Sequence, residues 1–438
     1  MTGQHVNTIS PLTALQNALA EGILTPAAIA QNCIAQANAN ASRNTYIHFD
    51  PEALQQQAEA LTPGTPLYGV PISLKDLFDL EGTRNSAGTR FYADLNPPAT
   101  ADSTIAQVLK QSGALITGKT HLHPLAYGLT GENPDFGDCL QPRDPALLTG
   151  GSSSGAVASV QEGSALAAIG TDTGGSVRIP AALCGLVGYR ASHSLPTLWP
   201  DQWRGGVHLS QAFDTVGIFT RDPRDLAPIA SALFPLPPAA APPTPRIACV
   251  SLAFCADANP EVLTAYAAWK HHIQQAGATL VDFDATAWNA ALDIYAPIQA
   301  HEAFLIHRPH LEKLEPTLET RIAERLRWGA SLTGPEVASL RDRHQELRAT
   351  ITALFNQFDF LMLPSTPINR LLADGDFTLA RPAILRYTAP FSIAGLPTVT
   401  LPGELIGAPL GTGVQLAAPQ LKDSALLDYV ATLGGQHA

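Results

Sequence analysis

One stretch constrains the fold more than any other. Between Leu148 and Pro180 the chain sets two Gly/Ser/Thr-rich runs around an apolar segment. The first run is Gly150-Gly151-Ser152-Ser153-Ser154-Gly155 and the second is Gly170-Thr171-Asp172-Thr173-Gly174-Gly175-Ser176. Ala156 to Ala165, between them, reads as a helix, and Ala167 to Thr171 reads as a strand entering the second run. An isolated Gly/Ser run is ordinarily a surface turn. These two abut apolar chain on each side, so both are expected to be ordered turns that let backbone and hydroxyl groups approach closely.

Taken alone, the runs admit several chemistries. Gly151-Ser152-Ser153-Ser154-Gly155 fits the nucleophile elbow G-x-S-x-G, which needs a strand directly before it. Gln141 to Thr149 carries two prolines and makes a poor strand. Asp172-Thr173-Gly174 resembles an aspartic protease loop, but that chemistry needs two carboxylates sharing a proton. No second Asp-Thr/Ser-Gly occurs, and neither run has the phosphate-loop pattern G-x-x-x-x-G-K-[ST].

Composition narrows the class. Of 438 residues, 45% are hydrophobic and 15% charged, enough apolar content for a large core and against wholesale disorder. With Lys plus Arg at 26 and Asp plus Glu at 38, the net charge is −12, which gives no global field for nucleic acid or an anionic membrane. Cys33, Cys139, Cys184, Cys249 and Cys255 are odd in number and form no Cys-x-x-Cys pair. That argues against a disulfide framework or zinc knuckle and for a reducing cytoplasm. Met1 to Pro11 lacks the apolar region of a signal peptide, and no apolar run is long enough to span a bilayer.

Strands and helices interleave along the chain, which points to an α/β fold. Leu12–Ala20, Pro26–Ala37 (capped by Thr25), Ser103–Ser112, Pro260–Ala276, Pro335–Phe358 and Ser424–Leu433 read as helices. Tyr68–Asp76, Ala114–Lys119, Ile247–Ser251 and Phe360–Leu363 read as strands, and Thr398–Leu416 as strands with turns. The Pro-rich stretch 234–246 forbids a helix and runs extended. It either divides two domains or is an excursion within one.

Serine is a weak nucleophile and needs a base. Lys75 closes the apolar strand Val70-Pro71-Ile72-Ser73-Leu74 and is positioned to point inward. A desolvated lysine loses its proton readily and can serve as that base. Lys75, Ser152 and Ser176 together carry a resemblance that none carries alone. Gly69-Val70-Pro71-Ile72-Ser73-Leu74-Lys75-Asp76, both Gly/Ser runs continuing through Val177-Arg178-Ile179-Pro180, Phe213-Asp214-Thr215-Val216-Gly217, Pro390-Phe391 and Gly395-Leu396-Pro397 resemble the amidase signature family. The likeness runs from about Leu12 to Leu427. Within the family, Leu129 to Gly137 is similar to the short amidases related to indole-acetamide hydrolases.

The resemblance implies an α/β fold with a mixed, twisted central sheet flanked by helices on both faces. Because the matching text crosses the Pro-rich stretch, it implies one domain over residues 1–438 with an excursion at 234–246. It implies Ser176 as nucleophile, Ser152 as bridging serine in a cis peptide, and Lys75 as terminal base. Oxyanion donors are implied at Thr173, Gly174, Gly175 and Ser176, with Ser153, Asp172 and Arg178 in support. Tyr127, Thr149, Gly150 and Gly151 are the implied pocket residues. The implied activity is cleavage of the C–N bond of a small-molecule amide, with an aryl or apolar acyl part and with carbamates or esters open. No metal, nucleotide or organic cofactor is expected, and no nucleic-acid or membrane partner. A homodimer is left open. An amidase subunit of a glutamine-dependent transamidation complex, and a non-catalytic docking module, are the alternatives.

Three positions depart from the family's usual text: His121 for Asn, Pro124 for an acidic residue, and Thr149 for Pro. His121 and His123 without further ligands make a poor metal site, so packing or pocket-wall roles are expected for them. His301 and Glu302, on a helical stretch after the Pro-rich segment, either face the pocket or, as is commoner for such residues, lie on a solvated helix face.

Overall fold

The computed structural model of the protein describes residues 9–377 and 380–434. Residues 1–8 of the N-terminal stretch read for a signal peptide lie outside them. Eleven strands are described: β1 (Tyr46–His48), β2 (Pro71–Lys75), β3 (Leu115–Thr120), β4 (Ala167–Asp172), β5 (Val187–Arg190), β6 (Thr215–Thr220), β7 (Arg246–Val250), β8 (Thr279–Phe283), β9 (Phe360–Pro364), β10 (Thr398–Pro402) and β11 (Gly413–Ala417). They form one sheet in the order β1-β3-β2-β4-β6-β5-β10-β11-β9-β7-β8. The sheet is mixed: β3-β2-β4 and β9-β7-β8 run parallel, while the other neighbours are antiparallel. Strands from both sides of the Pro-rich stretch therefore share one sheet. That stretch runs without a helix from the helix Leu226–Leu233 to β7.

Alternation along the strands builds a core on each face. Ile247, Cys249, Phe360 and Met362 enter one apolar cluster, while Ala248, Val250, Leu361 and Leu363 enter another. Sheets covered on both faces read as continuous apolar runs rather than as alternating ones, which is why β9 (Phe-Leu-Met-Leu-Pro) is wholly buried. Among the described residues, no helix is long and apolar enough to cross a membrane.

The expected elements occur with shifted ends. Thr25 caps the helix Pro26–Ala39 by accepting from Ala28 N–H at 3.2 Å. The strand expected from Tyr68 starts only at Pro71, because Gly69 turns the chain with φ of +70°. His301 and Glu302 do not lie on a solvated face. Their helix, Ala291–His307, packs against Thr320–Ser331 and Gly334–Ala353, and Glu302 accepts from Ser210 Oγ at 2.7 Å and Ala212 N–H at 3.0 Å.

Candidate active site

The parallel pair β2 and β4 ends at one edge of the sheet, with Leu74 opposite Ile169. In such sheets the carboxyl ends of strands are where chemistry collects. Lys75 ends β2, and Asp172 ends β4 just before Thr173-Gly174-Gly175-Ser176. The helix Ser154–Glu162 covers this face, so the first Gly/Ser run, at its N-terminus, meets the same edge.

Lys75 is completely buried. Its Nζ lies 2.8 Å from Ser152 Oγ, 3.0 Å from Ser153 Oγ and 2.8 Å from Thr171 Oγ1. Burial lowers its pKa from 10.5 to about 7, against an opposing pull from Asp214 and Asp172. The Gly151–Ser152 peptide bond is cis. Ser153 N–H donates to Ser176 C=O at 3.3 Å and so ties the two runs together. Ser176 is 2% exposed, and its hydroxyl has no hydrogen-bond partner among the described residues.

The loop before Ser176 is held from below by Asp172. Its carboxylate accepts from Gly175 N–H at 2.9 Å, Val177 N–H at 3.1 Å and the Arg178 guanidinium at 2.9 and 3.0 Å, and it pairs with Arg190 at 2.9 Å. Burial alone would raise this carboxyl, but Arg178 and Arg190 outweigh it and hold the group well below the usual carboxylate range. Asp172→Asn would leave two buried guanidiniums without a counter-charge. We expect a loss of about 3–5 kcal/mol of stability, read as a fall in the urea midpoint. A loss below about 1 kcal/mol, the scale of a surface pair, would contradict this role.

The four N–H groups expected as oxyanion donors are not equivalent. Gly175 N–H is spent on Asp172, which removes it from the set. The N–H groups of Thr173, Gly174 and Ser176 have no acceptor among the described residues. Gly174 has no room for a side chain, since a Cβ there would stand 2.3 Å from Tyr295 Oη.

The expected pocket residues divide. Thr149 and Gly150 face the interior: Thr149 Oγ1 donates to Gly150 C=O at 3.0 Å, and a Cβ on Gly150 would meet Leu183 at 2.8 Å. They shape the turn and do not line a pocket. Gly151 N–H donates to Leu129 C=O at 2.7 Å, fastening the run to the loop after Tyr127. Tyr127 is buried beneath two guanidiniums, with Arg325 4.6 Å and Arg381 5.8 Å from its ring centroid. His121 is a packing residue bonded to Ser154 Oγ and Gly137 C=O, each at 2.8 Å, and burial lowers its pKa to about 4. Among the described residues, no group of three metal-ligating side chains exists. Thr171, Arg190, Arg325 and Arg381 were not legible beforehand. Only Thr171 carried a signal, standing beside Asp172 in the second run.

Residues 28–427 match the family model described as Amidase. The chain is 32% identical over 398 residues to a 2-amino-5-chloromuconic acid deaminase of Comamonas testosteroni, covering 85% of this chain and 83% of that protein. It is 32% identical over 394 residues to the 1-carboxybiuret hydrolase subunit AtzE of Pseudomonas sp. (strain ADP), covering 83% and 82%. A crystal structure of an amidase superposes with a TM-score of 0.87 at 29% identity, over 97% of this chain and 99% of that one. The sheet, the loops at its edge and these matches agree: the chain belongs to the amidase signature family of hydrolases, enzymes that cleave C–N bonds.

Proposed function

We propose that the protein hydrolyses a small amide through an acyl-enzyme on Ser176, with Ser152 and Lys75 relaying the proton. The observation that carries this reading is a fully buried lysine, its pKa lowered to about 7, in hydrogen-bond contact with Ser152. A neutral amine has two N–H donors and one lone pair. Ser153 must accept from it, because the Ser153 proton goes to Thr171 C=O at 3.1 Å. Thr171 and Ser152 are left for the second N–H and the lone pair, and Ser152 is the neighbour of Ser153, whose N–H donates to Ser176 C=O at 3.3 Å.

In the forward step Lys75 takes the Ser152 proton, Ser152 takes the Ser176 proton, and Ser176 Oγ bonds to the amide carbon. The negative charge moves to the carbonyl oxygen, where the open N–H groups of Thr173, Gly174 and Ser176 receive it. The proton returns through Ser152 to the leaving nitrogen as the C–N bond breaks. Water then adds to the acyl carbon by the same relay and releases the acid. Carbamates and esters present the same carbonyl to the same groups. The expectation of an apolar acyl part finds its aromatic wall in Tyr127, but two guanidiniums cover that ring, so it is not carried forward.

The test is a hydrolysis screen over aryl amides, aliphatic amides, carbamates and ureas, paired with fluorophosphonate labelling. Adduct formation on Ser176 with turnover of at least one class is the expected result. Labelling at another serine, or no turnover in any class, would sink the reading.

A further inference from the structure

Beside the Ser152 turn lies a cavity of about 190 Å³ bordered by His123, Leu129, Thr130, Arg325 and Arg381. Three buried nitrogens of these residues have no hydrogen-bond partner among the described residues: His123 Nε2, Arg325 Nε and Arg381 Nε. Buried polar groups are nearly always satisfied, so three orphans around one space are informative. Guanidinium N–H groups can only donate. For Arg325 and Arg381, what is missing is an acceptor.

Charge says the same. Arg321, at the rim, lies 3.6 Å from Glu319 and 3.9 Å from Asp376. Arg325 and Arg381 lie deeper and pair with no carboxylate among the described residues. Burial, and next the Arg381 charge, lower the Arg325 pKa to about 9. The Tyr127 face between them offsets part of this cost, but two like charges in one partly desolvated space still want a counter-ion.

The cavity is tied to the reacting groups on two sides. Arg381 donates to Gln299 Oε1 at 2.9 Å, and Gln299 donates to Tyr295 Oη at 2.6 Å. Tyr295 Oη is the atom that a Cβ on Gly174 would strike. On the other side, His123 N–H donates to Ser152 C=O at 3.2 Å. The cavity and the turn before Ser176 therefore share supporting residues on two sides.

We propose that the substrate is an amide that also carries a carboxylate, and that Arg325 and Arg381 hold that carboxylate above Tyr127. The proposal rests on Ser176 being the site of amide hydrolysis. A planar guanidinium fork matches a carboxylate in geometry as well as charge. Glu132 and Glu319 also border the cavity; against Arg321, Arg325 and Arg381 they leave it one formal positive charge in excess.

The test compares charged and neutral partners of equal carbon number: succinamate with butyramide, glutaramate with valeramide, and N-acetylglycine with N-ethylacetamide. We expect kcat/KM to favour the acid by at least about 30-fold in one pair, the scale set by a desolvated charge pair. The identity of that pair tells whether the carboxylate lies on the acyl or the amine side. In Arg325→Met and Arg381→Met the ratio falls toward one, whatever the absolute rates, and Arg381→Lys recovers part of it. A second readout needs no turnover. Succinate should raise the melting temperature of the Ser176→Ala protein, and Arg381→Met in that background should abolish the rise. Hydrolysis of the neutral amides as fast as the acids overturns this proposal and leaves the amidase reading standing. If no amide is turned over, the amidase reading fails, and succinate binding alone decides whether the arginines form an anion site. Succinate binding no tighter than butyramide overturns it in either case.

Discussion

Ser176→Ala lowers kcat on any amide by about 10⁴–10⁶-fold, the range found when a hydrolase loses its nucleophile. The folded state should barely notice. Ser176 is buried, but its hydroxyl has no partner among the described residues, so removing it breaks none of their hydrogen bonds and opens a space of one oxygen atom. Large catalytic loss with an unchanged melting temperature separates a reacting atom from a structural one. Ser152 is the competing nucleophile, and it behaves differently. Its hydroxyl is 2.8 Å from Lys75, so Ser152→Ala disturbs the buried amine as well as the relay. Intact-protein mass spectrometry during turnover supplies the second check: the acyl adduct should map to Ser176 and vanish in Ser176→Ala. A variant keeping more than a tenth of the wild-type rate would place the nucleophile elsewhere.

Lys75→Met should cost about 10³–10⁴-fold in kcat/KM, the size expected for a positioned base acting on a weak nucleophile. The pH dependence follows from the depressed pKa. The base form is neutral lysine, so kcat/KM should fall tenfold per unit below about pH 7 and level off above it. A profile flat to about pH 5, well below the pKa at which this base is lost, would exclude lysine in this role. Stability also rises with pH, but in a higher window. The unfolded lysine holds its proton up to 10.5 and the folded one only up to about 7. Between those values the unfolded state binds more protons, so this group's destabilisation is full below about 7 and vanishes above 10.5. It changes by roughly 1.4 kcal/mol per pH unit in that window. Lys75→Met should therefore melt higher than the wild type at neutral pH while being nearly inactive. A variant that is both inactive and less stable would show that the amine serves packing.

Lys75, Ser152 and Ser176 are legible in the sequence because they sit in local text. Two runs lie a helix apart, and a lysine ends an apolar strand. The helices Ala291–His307 and Ala380–Ala394 were harder to see, since each carries an internal proline, Pro297 and Pro390, that counts against a helix. Those helices bring Tyr295, Gln299 and Arg381 to the site. Arg190 arrives by register alone: antiparallel β5 places it opposite Gly217 on β6, which in turn lies beside β4. No spacing along the chain announces a neighbour delivered by a sheet. The oxyanion set shows a different gap. Four N–H groups were expected, but whether one is already spent on Asp172 depends on the fold of a turn that the sequence does not draw.

Arg178 has one more consequence. Two residues beyond Ser176, it donates to Thr388 C=O at 2.9 Å, Ser392 Oγ at 2.8 Å and Gln415 Oε1 at 3.0 Å. All three lie more than two hundred residues later in the chain. During synthesis the lysine and both serines leave the ribosome long before the groups that clamp their loop. Contacts of such long separation form late in folding. The nascent chain thus carries Lys75, Ser152 and Ser176 while the loop beside them is still loose, and Arg178 can clamp it only after residues 388 to 415 have emerged.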